Sequence, residues 1–426
     1  MLLKINRENE RQEFVKRLAS RSVGLDAELI RDVASIIDDV RARGDRALIE
    51  YTARFDRVEL KQFRIDEDEL LRCAARVDER VLSALREAIR NVRAFHSRQI
   101  EESWNTNPAD GIELGQRITP LARVGLYIPG GTAAYPSSVV MNVVPAQVAG
   151  VERIVVTTPP RTLSENPAVA AALYELNIGE VYAVGGAQAI AALAFGTETV
   201  PRVHKITGPG NKYVAAAKKL VFGVVGIDSI AGPTEVVIVA DETARADFVA
   251  ADLLAQAEHG EDASAVLITN SKELANSVTQ EIDRQVETLP RREIVMSSLE
   301  AYGAILLVET LDEACAIVNE LAPEHVEIVT SDDKAVAAKI RQAGAIFFGS
   351  YTPEAIGDYI AGPNHVLPTG RTSRFSSALG VYDFVKRTSL LRYSQQAFER
   401  AAESVSVLAK CEGLEGHARS AHVRSK

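Results

Sequence analysis

Two short segments combine imidazole with amide or carboxylate side chains at spacings that suit metal binding and proton transfer. In the first, Gln256 and His259 are three residues apart at the end of a predicted helix, so their side chains share one face. Imidazole nitrogen is a preferred zinc ligand, and an amide oxygen is a weaker and rarer one. A histidine followed by glycine is equally typical of a helix that simply ends there. The segment alone leaves both interpretations open.

The second segment places Glu324 beside His325 at the start of a predicted strand. Imidazole titrates near neutral pH and can take a proton from an alcohol, while a carboxylate can activate water. Asp358, in a loop after another predicted strand, is a candidate third metal ligand, although a loop aspartate often bonds its own backbone. His365 lies in a proline-rich turn, where bonding to local carbonyls is favoured over catalysis.

Glycine-rich segments follow predicted strands or precede a predicted helix at 124–132, 184–188 and 207–213. Glycine at such places lets backbone N–H groups approach a phosphate closely. The dinucleotide fingerprint G-x-G-x-x-G is incomplete, because Gly208-Pro-Gly210 lacks the third glycine. These segments are therefore compatible with a phosphate site or with tight turns at sheet ends.

The elements that must position these residues change in character along the chain. Residues before about 100 have helical periodicity, near 26–40 and 66–99, and the pattern is helical again after about Gly380. Between them, strands alternate with helices, which predicts parallel sheets covered by helices, with two sheets favoured over one. The predicted strands span 124–128, 153–157, 180–184, 222–227, 235–240, 265–269, 304–308, 326–329 and 345–348.

Composition narrows the class of protein. The 426 residues, 46% hydrophobic and 25% charged, are typical of a globular chain of about two to four domains. The net charge of −10 argues against a nucleic-acid partner, because no excess of lysine and arginine is present to neutralise phosphates. No apolar run is long enough to predict a membrane span or a signal peptide. Three cysteines without a CxxC pair fit a reducing compartment, so we expect a cytoplasmic protein.

Taken together, the motifs occur in the order seen in histidinol dehydrogenases, and the resemblance spans nearly the whole chain. The combination is far more specific than any single motif. The segments that carry it are VGLYIPGG from Val124, GGAQAIA from Gly185, TGPGNKYV from Thr207, DSIAGPTE from Asp228, QAEHG from Gln256, APEH from Ala322, GDYIAGPNHVLPT from Gly357 and EGLEGH from Glu412.

The resemblance implies an α/β fold of two incomplete Rossmann-like domains with parallel sheets, plus small N- and C-terminal helical pieces. The implied domains are a small N-terminal helical segment (1–21), a discontinuous Rossmann-like domain carrying the zinc and catalytic residues (22–126 and 236–379), a Rossmann-like NAD-binding domain (127–235) and a C-terminal segment that reaches the partner subunit (380–426).

The implied activity is the zinc-dependent, NAD-linked, four-electron oxidation of L-histidinol to L-histidine through bound histidinal, in histidine biosynthesis. The resemblance implies a homodimer with shared active sites, in which the partner subunit supplies one ligand to each zinc ion. One zinc ion per subunit is expected at Gln256, His259, Asp358 and His417.

By the same resemblance, Glu324 activates water and His325 is the base. The NAD contacts are expected at Tyr127, Gln188 and Asn211. The substrate contacts are expected at Thr234, Gln256, His259, His325, Asp358, Glu412 and His417.

One position departs from the family's pattern. Thr234 stands where the family commonly has serine; it keeps the hydroxyl, adds a methyl group and stiffens χ1, which predicts a slightly narrower pocket. Two alternatives stay open: a paralogue that oxidises another polar alcohol with the same machinery, and a metal-stabilised binding protein without turnover. A purely structural role is disfavoured, because a scaffold has no need for the Glu324-His325 pair beside matched metal ligands.

Overall fold

The computed structural model describes residues 3–21, 25–130 and 135–425. Two six-stranded sheets are each enclosed between helices, and a third sheet has three antiparallel strands. This architecture confirms the predicted α/β class with parallel sheets. The predicted domain boundary at Ser22 and the end of the first glycine-rich segment, 131–132, lie outside the described residues.

The elements are numbered in chain order. The strands are β1 (Leu3–Ile5), β2 (Arg64–Ile65), β3 (Trp104–Ala109), β4 (Ile112–Pro120), β5 (Arg123–Tyr127), β6 (Arg153–Thr158), β7 (Glu180–Ala183), β8 (Lys205–Thr207), β9 (Gly226–Ile227), β10 (Glu235–Ala240), β11 (Ser264–Thr269), β12 (Ala304–Leu307), β13 (His325–Val329), β14 (Ala345–Phe348) and β15 (Val385–Tyr393). The helices are α1 (Glu8–Ala19), α2 (Ala27–Arg43), α3 (Asp45–Phe55), α4 (Glu67–Ala74), α5 (Glu79–His96), α6 (Pro136–Val148), α7 (Thr162–Glu165), α8 (Pro167–Glu175), α9 (Gly186–Phe195), α10 (Lys212–Val221), α11 (Ala246–Ala257), α12 (Lys272–Val286), α13 (Arg292–Tyr302), α14 (Leu311–Leu321), α15 (Asp333–Ala337), α16 (Glu354–Tyr359), α17 (Gln395–Cys411) and α18 (Glu415–His422). Short 3₁₀ turns span Ser97–Gln99, Thr372–Arg374 and Val381–Asp383.

The first sheet has the strand order β1-β12-β11-β10-β13-β14, and all its pairings are parallel. Its central strand β10 is apolar on both faces. Val236 and Ile238 pack with α11, α12 and α13, whereas Val237 and Val239 pack with α1 and α14. Burial on both faces explains why this strand reads as a continuous apolar run in the sequence.

The second sheet has the order β2-β7-β6-β5-β8-β9 and is parallel except at β2. Helices α4, α5, α6 and α8 cover one face, and α2, α3, α9 and α10 cover the other. Residues 27–96 therefore bury their apolar faces on this sheet, whereas the resemblance grouped 22–126 with 236–379. The division of the chain into domains stays a prediction.

The third sheet joins β15 to β4 and β4 to β3, with Val385 opposite Pro120 and Tyr393 opposite Ile112. The prediction of helix after Gly380 is correct for α17 and wrong for β15. The error has a physical cause, because β15 is fixed by a partner strand far earlier in the chain.

Within the described ranges, no helix combines the length and the hydrophobicity needed to cross a membrane.

Candidate active site

A cavity of about 210 Å³ lies where the carboxyl end of β8 meets the amino ends of β10 and β13. Loops from both six-stranded sheets and the amino end of α16 form its walls. The structure brings a large part of the predicted site together here, since the lining includes Thr234, His259, Glu324, His325 and Asp358.

His325 is enclosed, with 3% of its surface exposed. Its Nδ1 lies 3.2 Å from the backbone carbonyl oxygen of Glu235. A carbonyl can only accept, so this contact assigns the ring proton to Nδ1 and leaves a lone pair on Nε2. Nε2 has no hydrogen-bond partner among the residues that the structure describes. Burial lowers the pKa of His325 to about 3, so the imidazole is neutral at neutral pH and its Nε2 carries no proton.

Glu324 is held beside this imidazole. Its Oε2 accepts hydrogen bonds from the Thr234 hydroxyl and from the backbone N–H of Glu235, the latter at 3.2 Å. The same oxygen lies 3.7 Å from Nδ1 of His325. Burial raises the pKa of Glu324 to about 8, and the hydrogen bond from Thr234 opposes that shift. A carboxyl group with such a pKa is suited to act as a general base near neutral pH.

Gln256 is fully buried on α11, and its amide lies between Thr234 and Glu354, which both line the cavity. With its nitrogen toward Glu354, the amide donates to both carboxylate oxygens, at 3.2 and 2.8 Å. Its oxygen then lies 3.0 Å from the Thr234 hydroxyl, whose single proton is donated either to this oxygen or to Glu324. Gln256 therefore joins the other predicted residues through hydrogen bonds to Thr234 and Glu354.

Glu354 is a site residue that was not predicted from the sequence. The residue is buried at the first position of α16, and its Oε1 lies 3.7 Å from Nδ1 of His325. Its backbone N–H donates to Oε1 of Glu327 at 2.7 Å, which fixes the start of the helix. A signal was present in the sequence, because Glu354 precedes Asp358 by four residues and so shares its helix face.

His259, Glu354 and Asp358 form a candidate metal centre. One ligand atom from each lies within 4.8 Å of the other two. Burial raises the pKa of Asp358, and it raises that of Glu354 well above the ordinary value, with the charge of Asp358 adding to the effect. Among the described residues, no lysine or arginine forms an ion pair with either carboxylate. Buried carboxylates without a cationic side chain require protonation or a bound cation.

A second cleft, of about 1040 Å³, adjoins the cavity at Tyr135 and His259, which line both. The residues predicted to contact NAD all line this cleft: Tyr127, Gln188 and Asn211. Tyr127 ends β5 and Asn211 follows β8, and the strand order of the second sheet reverses between these two strands. Ligands of parallel sheets bind at such a reversal, outside the carboxyl ends of the strands.

Gln188 lies in the first turn of α9, whose amino end has no side-chain cap. The N–H of Gly186 donates to the Tyr127 hydroxyl at 3.1 Å. Glycine is required at Gly186, where φ is +67°, and a Cβ at Gly185 would lie 2.7 Å from Pro159. The glycine pair therefore permits a tight turn that presents an open helix terminus beside the cleft, as a phosphate group requires.

A buried ion pair holds the loop between the cavity and the cleft. Lys218 pairs with the Asp228 carboxylate and donates to the carbonyl oxygen of Gly208 at 3.0 Å. The N–H of Gly208 donates to the other Asp228 oxygen at 2.8 Å. Gly208 has a φ of +115°, and a Cβ there would lie 2.1 Å from the Tyr127 carbonyl oxygen. Only glycine at position 208 leaves room for the loop to pass the end of β5.

A family model described as histidinol dehydrogenase matches residues 19–425. The chain belongs to the histidinol dehydrogenase family. The histidinol dehydrogenase of Geobacillus kaustophilus is 57% identical over 395 residues, covering 92% of this chain and 93% of the relative. That of Neisseria meningitidis serogroup A is 51% identical over 418 residues, covering 97% of each. A crystal structure of histidinol dehydrogenase from Elizabethkingia anophelis matches with a TM-score of 0.93 and 33% identity, over 99% of this chain and 98% of that one.

In this member of the histidinol dehydrogenase family, two predicted site residues lie apart from the others. Glu412 follows α17 and His417 lies in α18, and both are exposed. Neither is part of the described lining of the cavity. His365 does line it, and its Nδ1 lies 3.1 Å from the backbone carbonyl oxygen of Asp358, the local contact expected of a structural histidine.

Proposed function

We propose that this chain oxidises L-histidinol to L-histidine through bound histidinal, in two NAD-linked steps at the cavity around His325. One observation carries the proposal: a neutral, enclosed imidazole has an Nε2 lone pair without a partner in the described structure, beside the carboxyl of Glu324. Such a pair suits proton removal from an alcohol and from water. Membership of the histidinol dehydrogenase family supports histidinol as the substrate.

The cavity residues suit a zinc ion. Its metal–ligand bonds of about 2.0–2.2 Å require donor atoms that lie within a few ångströms of one another, and the cluster of His259, Glu354 and Asp358 meets this condition. The zinc ligands that we propose are Gln256, His259, Asp358 and, from a second subunit, His417. When bound, the ion would act as a Lewis acid that accepts the lone pairs of the substrate's amino and imidazole nitrogens, and so would fix the carbinol carbon.

The cleft beside the cavity suits a dinucleotide. Its size, its position at the strand-order reversal and the open amino end of α9 all support this use. We assign Tyr127, Gln188 and Asn211 to NAD. When bound, NAD accepts the hydride in each oxidation.

The side chains of the chain carry the proton transfers. In the first oxidation, Nε2 of His325 takes the proton of the carbinol hydroxyl. In the second, Glu324 takes a proton from the water that adds to the aldehyde, and His325 takes the hydroxyl proton of the resulting hydrate. Each histidinol therefore consumes two NAD and one water. Thr234 orients Glu324 and Gln256 through its hydroxyl.

The exposed position of His417 supports a homodimer with shared active sites. Strand β15 and helices α17 and α18 form a C-terminal arm, attached to the rest of the chain through β4. The arm exposes Leu391, Val407 and Leu408 to 72%, 60% and 65%. Such an apolar surface is typical of a subunit interface. We propose that the arm carries His417 and Glu412 to the cavity of the partner, where they contact the imidazole end of the substrate.

The test is histidinol-dependent NAD reduction by the zinc-loaded protein, before and after chelation. We expect two NADH per histidinol, loss of turnover on chelation and recovery when zinc is restored. A panel of other polar alcohols separates the proposal from a paralogue, because faster turnover of another alcohol would favour that alternative. Binding of histidinol without any NADH would instead identify a binding protein.

A further inference from the structure

We infer that Asp56 binds the ribose hydroxyls in the adenosine half of the dinucleotide and thereby selects NAD over NADP. This inference rests on the proposed NAD-linked function and adds the residue that determines the cofactor preference.

The carboxylate of Asp56 is available for a ligand in the cleft. Asp56 directly follows α3 and lines the cleft assigned to NAD. Its Oδ2 is buried and has no hydrogen-bond partner in the described part of the chain. A buried acceptor is costly to leave unsatisfied, and a pair of ribose hydroxyls supplies the missing donors. An acidic side chain that binds the ribose 2′-hydroxyl is a general device for recognising NAD.

The position of Asp56 in the cleft identifies which half of the dinucleotide it meets. The nicotinamide must lie where the cleft joins the cavity, at Tyr135, Pro209 and His259, because the hydride leaves from the cavity. Asp56 and its neighbour Tyr51 line the cleft but are not part of the described lining of the cavity. Asp56 also lies beside the carboxyl end of β6, because Arg161, shortly after that strand, interacts with Asp56 and donates to the carbonyl oxygen of Arg57. Strand β6 lies on the side of β5 away from β8 and the cavity, so Asp56 belongs to the adenosine end.

The carboxylate of Asp56 disfavours a 2′-phosphate, and the two arginines near it each contact another group. Arg161 is the cationic group that lowers the pKa of Asp56, but burial has the larger effect and the pKa is raised overall. Its guanidinium donates to the Arg57 carbonyl oxygen at 3.4 Å. Arg54, which also lines the cleft, lies over the ring of Phe55, 5.3 Å from its centre. A 2′-phosphate at Asp56 would meet a carboxylate where NADP-binding sites place an arginine.

The experiment is isothermal titration calorimetry of the zinc-loaded, full-length protein with NAD and with NADP. Asp56→Asn keeps the shape of the side chain and removes its charge. We expect the wild type to bind NAD at least about 100-fold more tightly than NADP. In the Asp56→Asn variant, the ratio of the two dissociation constants should be at least about tenfold smaller. Asp32→Asn is the matched control, because Asp32 is an exposed carboxylate that lines the same cleft. Its ratio should stay within about twofold of wild type.

Asp56→Ser serves as a second variant, and thermal unfolding of both checks that they fold. A wild type that binds NADP as tightly as NAD would overturn the inference, as would an unchanged ratio in the Asp56 variants. An equal loss in Asp32→Asn would do the same, because general charge rather than Asp56 would then set the preference. A wild type that forms no NADH from histidinol refutes the proposed function, whereas normal turnover with an unchanged ratio refutes this inference alone.

Discussion

Nδ1 of His325 donates to the backbone carbonyl oxygen of Glu235 across 3.2 Å. The two residues start adjacent parallel strands, β13 and β10, so the sheet itself orients the imidazole. A base on a rigid element needs no rearrangement when substrate binds, which is the condition for efficient proton transfer.

The first prediction separates the two oxidations. His325→Asn removes the base that we propose for both steps, so we expect NADH formation to fall at least about 100-fold with histidinol and with histidinal. Glu324→Gln removes only the group that we propose to activate water, so histidinal oxidation should fall by a similar factor while the first hydride transfer falls less than about tenfold. Single-turnover absorbance at the NADH band measures both steps. Alcohol oxidation that survives in His325→Asn would exclude the assigned base.

The second prediction concerns pH. Only the ionised carboxylate of Glu324 accepts a proton from water, and burial raises its pKa to about 8, so its active form increases as the pH rises. His325, with a pKa of about 3, stays neutral over the same range. A bound cation lowers the carboxyl pKa, so we expect histidinal oxidation to rise with pH to a midpoint at or below about 8. Glu324→Gln should remove this dependence; its persistence in the variant would assign the titration to another group.

The third prediction concerns zinc binding. His259→Asn and Asp358→Asn each remove a proposed ligand, and we expect zinc affinity to fall at least about 100-fold in competition with a chromogenic chelator. His204→Asn is the control, because His204 is an exposed histidine outside the described cavity lining. Equal zinc affinity in all four proteins would place the metal elsewhere.

The fourth prediction concerns Glu354, which holds the Gln256 amide through hydrogen bonds at 3.2 and 2.8 Å. Glu354→Gln removes the negative charge beside the proposed ligands, so we expect zinc affinity to fall about 10- to 100-fold. Glu309→Gln makes the same chemical change at an exposed site and should leave zinc affinity unchanged. Equal affinities in the two variants would remove Glu354 from the metal centre.

The fifth prediction tests shared active sites. His325→Asn and His417→Asn should each be inactive alone. If His417 acts in the partner subunit, a mixed dimer contains one intact site, so refolding the two variants together in equal amounts should restore about a quarter of wild-type activity. Separately refolded samples, mixed afterwards, control for residual activity. Absence of any recovery in a preparation shown to contain mixed dimers would place both residues in one subunit's site.

Strands whose burial shows in their own sequence were predictable, and strands fixed by a distant partner were not. The predicted bounds of β10, residues 235–240, match the observed strand, because burial on both faces makes it continuously apolar. Strand β15 was missed, because its exposed surface has no apolar pattern and its partner β4 precedes it by most of the chain. Short strands such as β8 were also missed, since three residues do not establish a period.

The site was predictable to a similar extent. Glu324 and His325 are neighbours in sequence, so their cooperation could be proposed from the residues alone. The contribution of Glu354 could not, because it depends on how α16 packs under Gln256. The geometry also shows the Gln256 amide engaged by Thr234 and Glu354, a network that spacing along the chain does not determine.

The pairing of β1 with β12 has a consequence for how the molecule is made. Leu3 lies opposite Ala304, so β1 cannot pair until residues about 300 positions later in the chain have been made. All strands of the second sheet come from residues 64–227, although Leu379 and Phe384 complete the core on one of its faces. Vectorial synthesis should therefore make all strands of the second sheet available before the first sheet can pair β1 with β12.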